Sequence, residues 1–134
     1  MICFQKNCKS LSYFLIIFYF LGQGIKPLQA GYNAGAGASA SGSNSTAIGD
    51  ASSASANNST AIGENAQVSA SNGLAVGQSA SVSANNGIAI GQDASVTASN
   101  SIAIGKGVSV GAANTVQIGT SSQTVNLPGS VDIN

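Results

Sequence analysis

STAIGDASSASANN (45–58), STAIGENAQVSASN (59–72), GLAVGQSASVSANN (73–86) and GIAIGQDASVTASN (87–100) are one 14-residue unit written four times in succession. The register extends in both directions. GYNAGAGASASGSN (31–44) precedes these units, SIAIGKGVSVGAAN (101–114) follows them, and TVQIGTSSQTVNLP (115–128) begins in step and then departs. The glycine of the fifth place recurs at Gly49, Gly63, Gly77, Gly91, Gly105 and Gly119, with Gly35 one step earlier.

Several other places are nearly as constant. The fourth is apolar throughout (Ala34, Ile48, Ile62, Val76, Ile90, Ile104, Ile118), and the third is alanine at Ala47, Ala61, Ala75, Ala89 and Ala103. The tenth runs Ala40, Ala54, Val68, Val82, Val96, Val110, and the fourteenth is Asn44, Asn58, Asn72, Asn86, Asn100 and Asn114. Apolar residues at places 2 and 4, and again at 8, 10 and 12, alternate with a period of two, the spacing of a strand with one buried face. Glycine at place 5 and asparagine at place 14 are residues that tolerate positive φ, so they close the two strands. Each unit therefore reads as strand, turn, strand, turn. That is one coil of a parallel β-solenoid, with equivalent residues stacked about 4.8 Å apart. A helical reading of two heptads fails, because the spacing is two and Gly, Ser, Asn and Thr are poor helix-interior residues.

The alternation puts the aliphatic file at place 4 on the enclosed side. A single coil holds too few aliphatic side chains to offset the ordering of its backbone, roughly 1–2 kcal/mol per residue. Stacking is required, and the interior remains thin even then. The expectation is association of chains, threefold, through the alanine or aliphatic row that the first strand turns outward. The solvent-side strand faces are Ser, Asn and Thr.

The segment before Gly31 has a different composition. It holds all four Phe, both Cys (Cys3, Cys8) and three of the four Lys (Lys6, Lys9, Lys26). Lys6 and Lys9 precede the apolar run LSYFLIIFYFL (11–21), which Gly22 and Gly24 break, and Leu28-Gln29-Ala30 offers a small residue for cleavage. This is the pattern of a secretory signal peptide. The run is shorter than the roughly 18–20 residues of a membrane span, although an uncleaved anchor is the alternative. From Gly31 on, one positive charge (Lys106) meets four negative ones (Asp50, Glu64, Asp93, Asp132), a formal net of −3. The expected organisation is a signal peptide over 1–30, head repeats over 31–119 and a C-terminal cap or linker over 120–134.

The recurring motif Ser-x-Ala-Ile-Gly-x-x-Ala-x-Val-x-Ala-x-Asn, carried with variations by 45–58, 59–72, 87–100 and 101–114, resembles the head repeat of trimeric autotransporter adhesins, the YadA-like head. The resemblance covers residues 31–119. It implies a left-handed parallel β-roll, three chains packed side by side, and a secreted or cell-surface role in adhesion to host matrix or other cells. Members of that family continue into a neck, a coiled-coil stalk and a membrane barrel. No heptads or barrel strands occur in this sequence, so no membrane barrel of its own is expected. In TVNLPGSVDIN (124–134), Val125, Leu127, Val131 and Ile133 alternate one step out of phase with the coils, and Pro128-Gly129 interrupts pairing, as a cap would, a frayed terminus being the alternative reading.

Chemistry finds little to work with. The sequence has no His, Arg or Trp, and no Cys beyond Cys8. That removes the usual nucleophile–base pairs, thiolate zinc sites and disulfides from the repeats, so no catalytic, cofactor or metal residue is expected. The glycines of 31–42 and Lys106-Gly107 lack the context of a phosphate loop. Asp50 and Glu64 at place 6, with Asp93 at place 7, could suggest a calcium column. Gln78 interrupts it, Ca²⁺ needs six to eight oxygens, and solvated turns are the expectation. Asn44-Ser45-Thr46 and Asn58-Ser59-Thr60 match the glycosylation sequon, but the turn already accounts for asparagine. A single cation from Gly31 onward speaks against nucleic acid.

Of the other non-enzymatic readings, a phage-type tail-fibre or spike rod conflicts with the export signal. An ice-binding solenoid would need a threonine ladder, which Thr46 and Thr60 begin but Leu74, Ile88 and Ile102 end. Disorder conflicts with the spaced aliphatics.

Overall fold

The structure is a computed structural model that describes residues 31–132, and the expected signal peptide lies outside the described residues. Thirteen short strands follow one another, β1 Tyr32–Ala34, β2 Ser39–Ala40, β3 Thr46–Ile48, β4 Ser53–Ala54, β5 Thr60–Ile62, β6 Gln67–Val68, β7 Leu74–Val76, β8 Ser81–Val82, β9 Ile88–Ile90, β10 Ser95–Val96, β11 Ile102–Ile104, β12 Ser109–Val110 and β13 Val116–Ile118. The odd strands form one seven-stranded parallel sheet and the even strands a six-stranded parallel sheet. Every pair is offset by one full sequence unit, as in Ala61 opposite Ala75 and Val68 opposite Val82. The chain is thus a β-solenoid with one coil per unit, and the period seen in the sequence is the pitch of the roll.

Hydrogen bonds between coils run in both directions. Thr46 N–H donates forward to Ser59 O (2.9 Å), Ser53 N–H to Ala66 O (2.8 Å) and Ser55 N–H to Val68 O (3.0 Å), whereas Gly63 N–H donates back to Ile48 O (2.7 Å) and Asn65 N–H to Asp50 O (2.9 Å). The turns therefore belong to the ladder as much as the strands do. Two left-handed residues per coil make this possible. The asparagines of place 14 sit at φ 55–59°, as their residue type foretells, and Ala51, Asn65, Ser79 and Asp93 of place 7 take φ 54–58°. The second set has no signature in the sequence, because the residue type there varies. Glycine at place 5 answers a different need, with φ of 121–135° from Gly49 to Gly91. A Cβ on Gly63 would also lie 2.5 Å from the carbonyl oxygen of Gly77 in the next coil.

The core corrects the expected facing of the first strand. The enclosed file is the alanine of place 3, with Ala47, Ala61, Ala75, Ala89 and Ala103 all at 0 % exposure. The isoleucines of place 4 turn outward, Ile48 at 37 % and Ile90 at 38 % exposed. Place 2 faces out beside them, and place 12 is unevenly enclosed, with Ala70 buried, Ala56, Ala84 and Ala98 half-buried and Ala112 exposed. Opposite the alanines stand Ser52, Ala66, Ala80, Ala94 and Val108 of place 8 and Ala54, Val68, Val82, Val96 and Val110 of place 10, all buried. The reason is width. So short a circuit, with one strand of three residues and one of two, brings its walls so close that alanine against alanine or valine fills the space between them.

Place 1 lies close to the side chains of place 10. Gly73 stands where a Cβ would fall 2.5 Å from Val68 Cγ1 and 3.1 Å from Val82 Cγ1, and Gly87 where one would fall 2.7 Å from Val82 Cγ1 and 3.0 Å from Val96 Cγ1. A side chain is still accommodated there in other coils, with the buried Ser101 between Val96 and Val110, and place 1 of the earlier coils is filled by the buried Ser45 and Ser59. Their hydroxyls donate to the carbonyls of Gly42 and Ala56 in the preceding turn. No buried side-chain nitrogen or oxygen among the described residues lacks a partner, as closed packing of polar atoms demands.

This packing is directly testable. Ala75→Leu overfills the interior and costs the unassembled chain about 1–3 kcal/mol in urea titration, while Ile90→Ala, on the outer face, costs less than about 1 kcal/mol. Gly63→Ala meets backbone and lowers stability further than Gly107→Ala. Gly107 has φ +69° and open space around its Cβ position, so its cost stays near the roughly 1–2 kcal/mol of left-handed strain alone.

Candidate binding surfaces

The roll presents two flat faces and two turn edges, and each has its own chemistry. The outer face of the seven-stranded sheet carries places 2 and 4. In coils 45–58 and 59–72 it shows Thr46 and Thr60 beside Ile48 and Ile62. From Gly73 on both places are aliphatic, Leu74 with Val76, Ile88 with Ile90, Ile102 with Ile104 and Val116 with Ile118. All are half-buried or exposed, Val116 reaching 62 % and Ile118 50 %. Among the described residues this face carries no charge. A continuous double file of branched aliphatic side chains in water is the mark of a contact surface.

The outer face of the six-stranded sheet is its opposite. Place 9 shows Ser39, Ser53, Gln67, Ser81, Ser95 and Ser109, and place 11 shows Ser41, Ser55, Ser69, Ser83, Thr97 and Gly111. Some hydroxyls turn back onto the ladder, as Ser55 Oγ donates to Val68 O (3.3 Å) and Thr97 Oγ1 to Val110 O (3.4 Å). The result is a neutral, hydroxyl-rich grid repeated at the spacing of the coils.

One turn edge is an asparagine ladder. Nδ2 of each place-14 residue donates to Oδ1 of the next, Asn44 to Asn58 (3.4 Å), Asn58 to Asn72 (3.3 Å), Asn72 to Asn86 (3.2 Å), Asn86 to Asn100 (2.9 Å) and Asn100 to Asn114 (3.2 Å). Asn57 and Asn85 of place 13 brace it, accepting from the N–H groups of Ser43 and Ser71. Both sequon asparagines, Asn44 and Asn58, are members of the ladder.

The other edge gathers the charges of the coils. Asp50 Oδ1 accepts from Ala36 N–H (2.9 Å). Glu64 accepts from Asn65 Nδ2 (3.4 Å) and Gln78 Nε2 (3.3 Å), and Gln92 Nε2 donates to Gln78 Oε1 (3.2 Å). Glu64 thus takes part in a column of amides with Gln78 and Gln92, and the described residues hold no group of three or more acidic, His or Cys side chains placed for a metal. At the far end, Gln123 folds over the last coil. Its Oε1 accepts from Thr120 N–H (2.8 Å) and its Nε2 donates to Lys106 O (3.5 Å). Beyond it Val125, Leu127 and Val131 are exposed.

The period, the polar face and the asparagine edge follow places that the sequence singles out. The aliphatic surface uses residues the sequence marks as apolar but on the side opposite to the one expected.

Comparison with known proteins places this geometry. The profile described as YadA head domain repeat (2 copies) matches residues 31–52, 40–66, 54–80, 69–94 and 83–107 in overlapping steps. The crystal structure of the collagen-binding domain of Yersinia adhesin YadA is similar at 34 % identity and a TM-score of 0.55, over 74 % of this chain and 65 % of that domain. This chain therefore spans somewhat less than two thirds of the length of that structure. No curated protein matches significantly. With the repeat profile running through most of the roll and a solved head domain sharing its architecture, the chain belongs to the YadA head-repeat family.

Proposed function

We propose that this chain is a non-enzymatic adhesin head that works as a homotrimer on or outside the bacterial surface and holds a host-matrix or cell-surface protein on its polar faces. The observation that carries the reading is the uncovered aliphatic face of the seven-stranded sheet. A roll whose inside holds only alanine, valine, serine and glycine keeps its largest side chains on the outside. Ile48, Ile62, Val76, Ile90, Ile104 and Ile118 form one straight file that a second and third copy can bury. Three such faces turned to a common axis remove the apolar surface from water and leave the Ser/Thr grid and the asparagine edge outward. Export by the segment 1–30 delivers the head to the place where such a ligand is met.

The ligand class follows from what is displayed. The similar YadA domain is a collagen-binding one by its title, and this chain offers a repetitive neutral surface suited to a repetitive partner. Each coil adds a weak, equivalent set of hydrogen bonds, so strength comes from their number. The grid itself carries no charge, so binding through it is insensitive to salt.

The chain from Gly31 is expected to sediment at three times its own mass with a β-rich spectrum, and Ile90→Asp, which places a carboxylate in the file that assembly buries, is expected to give monomer. A wild-type monomer would overturn the assembly. Immobilised collagen is expected to retain the wild-type trimer at both low and raised salt. Failure to bind, or loss of binding with salt, would overturn the ligand surface.

A further inference from the structure

The asparagine ladder is uniform in geometry but not in chemistry. Four of its members are followed by a hydroxyl residue, Asn44-Ser45, Asn58-Ser59, Asn100-Ser101 and Asn114-Thr115. Two are followed by glycine, Asn72-Gly73 and Asn86-Gly87. Those glycines are buried against the core valines. Val68, Val82 and Val96 occupy the space that a Cβ at 73 or 87 would need, at 2.5–3.1 Å. Valine at place 10 does not by itself require glycine, since the buried Ser101 stands between Val96 and Val110, so glycine after an exposed ladder asparagine is particular to positions 72 and 86.

We propose that Asn72 and Asn86 are sites of intramolecular deamidation, and that their conversion cuts the ladder in its middle. The backbone nitrogen of the following residue, once base has taken its proton, attacks the side-chain Cγ of asparagine. A C–N bond forms, the Cγ–Nδ2 bond breaks, and the nitrogen leaves as ammonia. Water then opens the five-membered cyclic imide at either carbonyl, giving an aspartate or an isoaspartate, whose main chain runs through the former side chain. Solvent water is the only co-reactant, and no electrons are exchanged. The step is governed by access to the backbone nitrogen, which a serine or threonine side chain shields and a glycine leaves open.

The fold both restrains the reaction and sets its consequence. Asn72 and Asn86 are held at φ 58° and 57°, and their Nδ2 groups donate along the ladder at 3.2 and 2.9 Å. The carbonyls of Gly73 and Gly87 accept from Thr60 N–H (2.9 Å) and Leu74 N–H (3.0 Å), which ties each glycine to the preceding coil. The side chain must leave the ladder to reach the attacking nitrogen, so the reaction draws on local opening of the coil. After conversion, the carboxylate can still accept from the preceding asparagine but has no proton to donate to the next. The bond to Asn86 or Asn100 is lost and two oxygens face each other. An isoaspartate also lengthens the backbone of one coil while its neighbours keep their original length, and breaks the register there.

The test uses the full repeat chain, incubated in neutral and mildly alkaline buffer, folded and in urea, and digested for mass spectrometry with isoaspartate-specific methylation. Conversion is expected at 72 and 86 well ahead of 44, 58, 100 and 114, faster in urea than in buffer, and rising with pH because hydroxide removes the amide proton. In urea, where packing is irrelevant, Gly73→Ser is expected to suppress conversion at 72 and leave 86 unchanged. Converted folded chain, and the variant N86D, are expected to melt several degrees below the parent. Equal rates at all six asparagines, or indifference of position 72 to Gly73→Ser, would overturn the sites. An unchanged melting temperature would overturn their effect on the ladder. None of these outcomes depends on trimer formation or ligand.

Discussion

The structure depends on the hydrogen bonding of each coil to the coils on either side of it. No coil has a sheet of its own, since its two short strands meet their partners only in the next or the preceding unit. The forward bonds of places 2, 9 and 11 and the backward bonds of places 5, 7 and 14 tie every segment of the unit to a neighbour. This is why the sequence repeats so strictly. A residue that lengthens, shortens or re-aims one coil breaks bonds in two others, and the left-handed residues at places 7 and 14 are fixed by the demand that the turns stack as closely as the strands.

Close stacking and a short circuit leave little volume inside, and that scarcity determines which residues go where. In a thicker sandwich, isoleucine would seek the interior and alanine would be tolerated anywhere. Here the ranking inverts. Alanine is the residue that fits between the walls, and isoleucine is displaced to the outer face. The thin core therefore leaves its mark on the exterior, an apolar face that carries the largest side chains of the coils.

Much of this could be read in the sequence. The period specifies the coil, the residues at places 5 and 14 mark turns, and the hydroxyl-rich outer grid follows from the serines. The facing of the first strand could not be read from hydropathy, because places 2, 3 and 4 are all apolar in the three coils from Gly73 to Asn114 and alternation has no contrast to work with there. The useful signal is size and not polarity. Place 3 is alanine in five consecutive units, whereas place 4 varies among Ile and Val and place 2 among Thr, Leu and Ile. A position that accepts one small residue is confined, and a position that accepts several larger ones is not. Place 7 leaves no mark for the converse reason. Ala51, Asn65, Ser79 and Asp93 share a φ but no side-chain chemistry, because the ladder bond of the backbone, not the residue's own preference, holds them left-handed.

The same reasoning explains where the roll stops. After β13 the places that should line the interior are Ser122, Thr124 and Asn126 instead of the alanines and valines of earlier coils. No strand follows Ile118 among the described residues. A further turn would have to enclose polar side chains against Val108 and Val110, with too little room to supply their partners. Gln123 takes a different course, closing a local turn with Thr120 and reaching the carbonyl of Lys106, so that a polar side chain lies over the end of the stack. An open solenoid end offers unpaired backbone to any passing strand. Ending the apolar pattern one half-coil after the last strand of the smaller sheet leaves the two sheets unequal in number, seven against six. The final aliphatic pair, Val116 and Ile118, then remains on the face that other chains would bury, with no second strand beneath it to complete a coil.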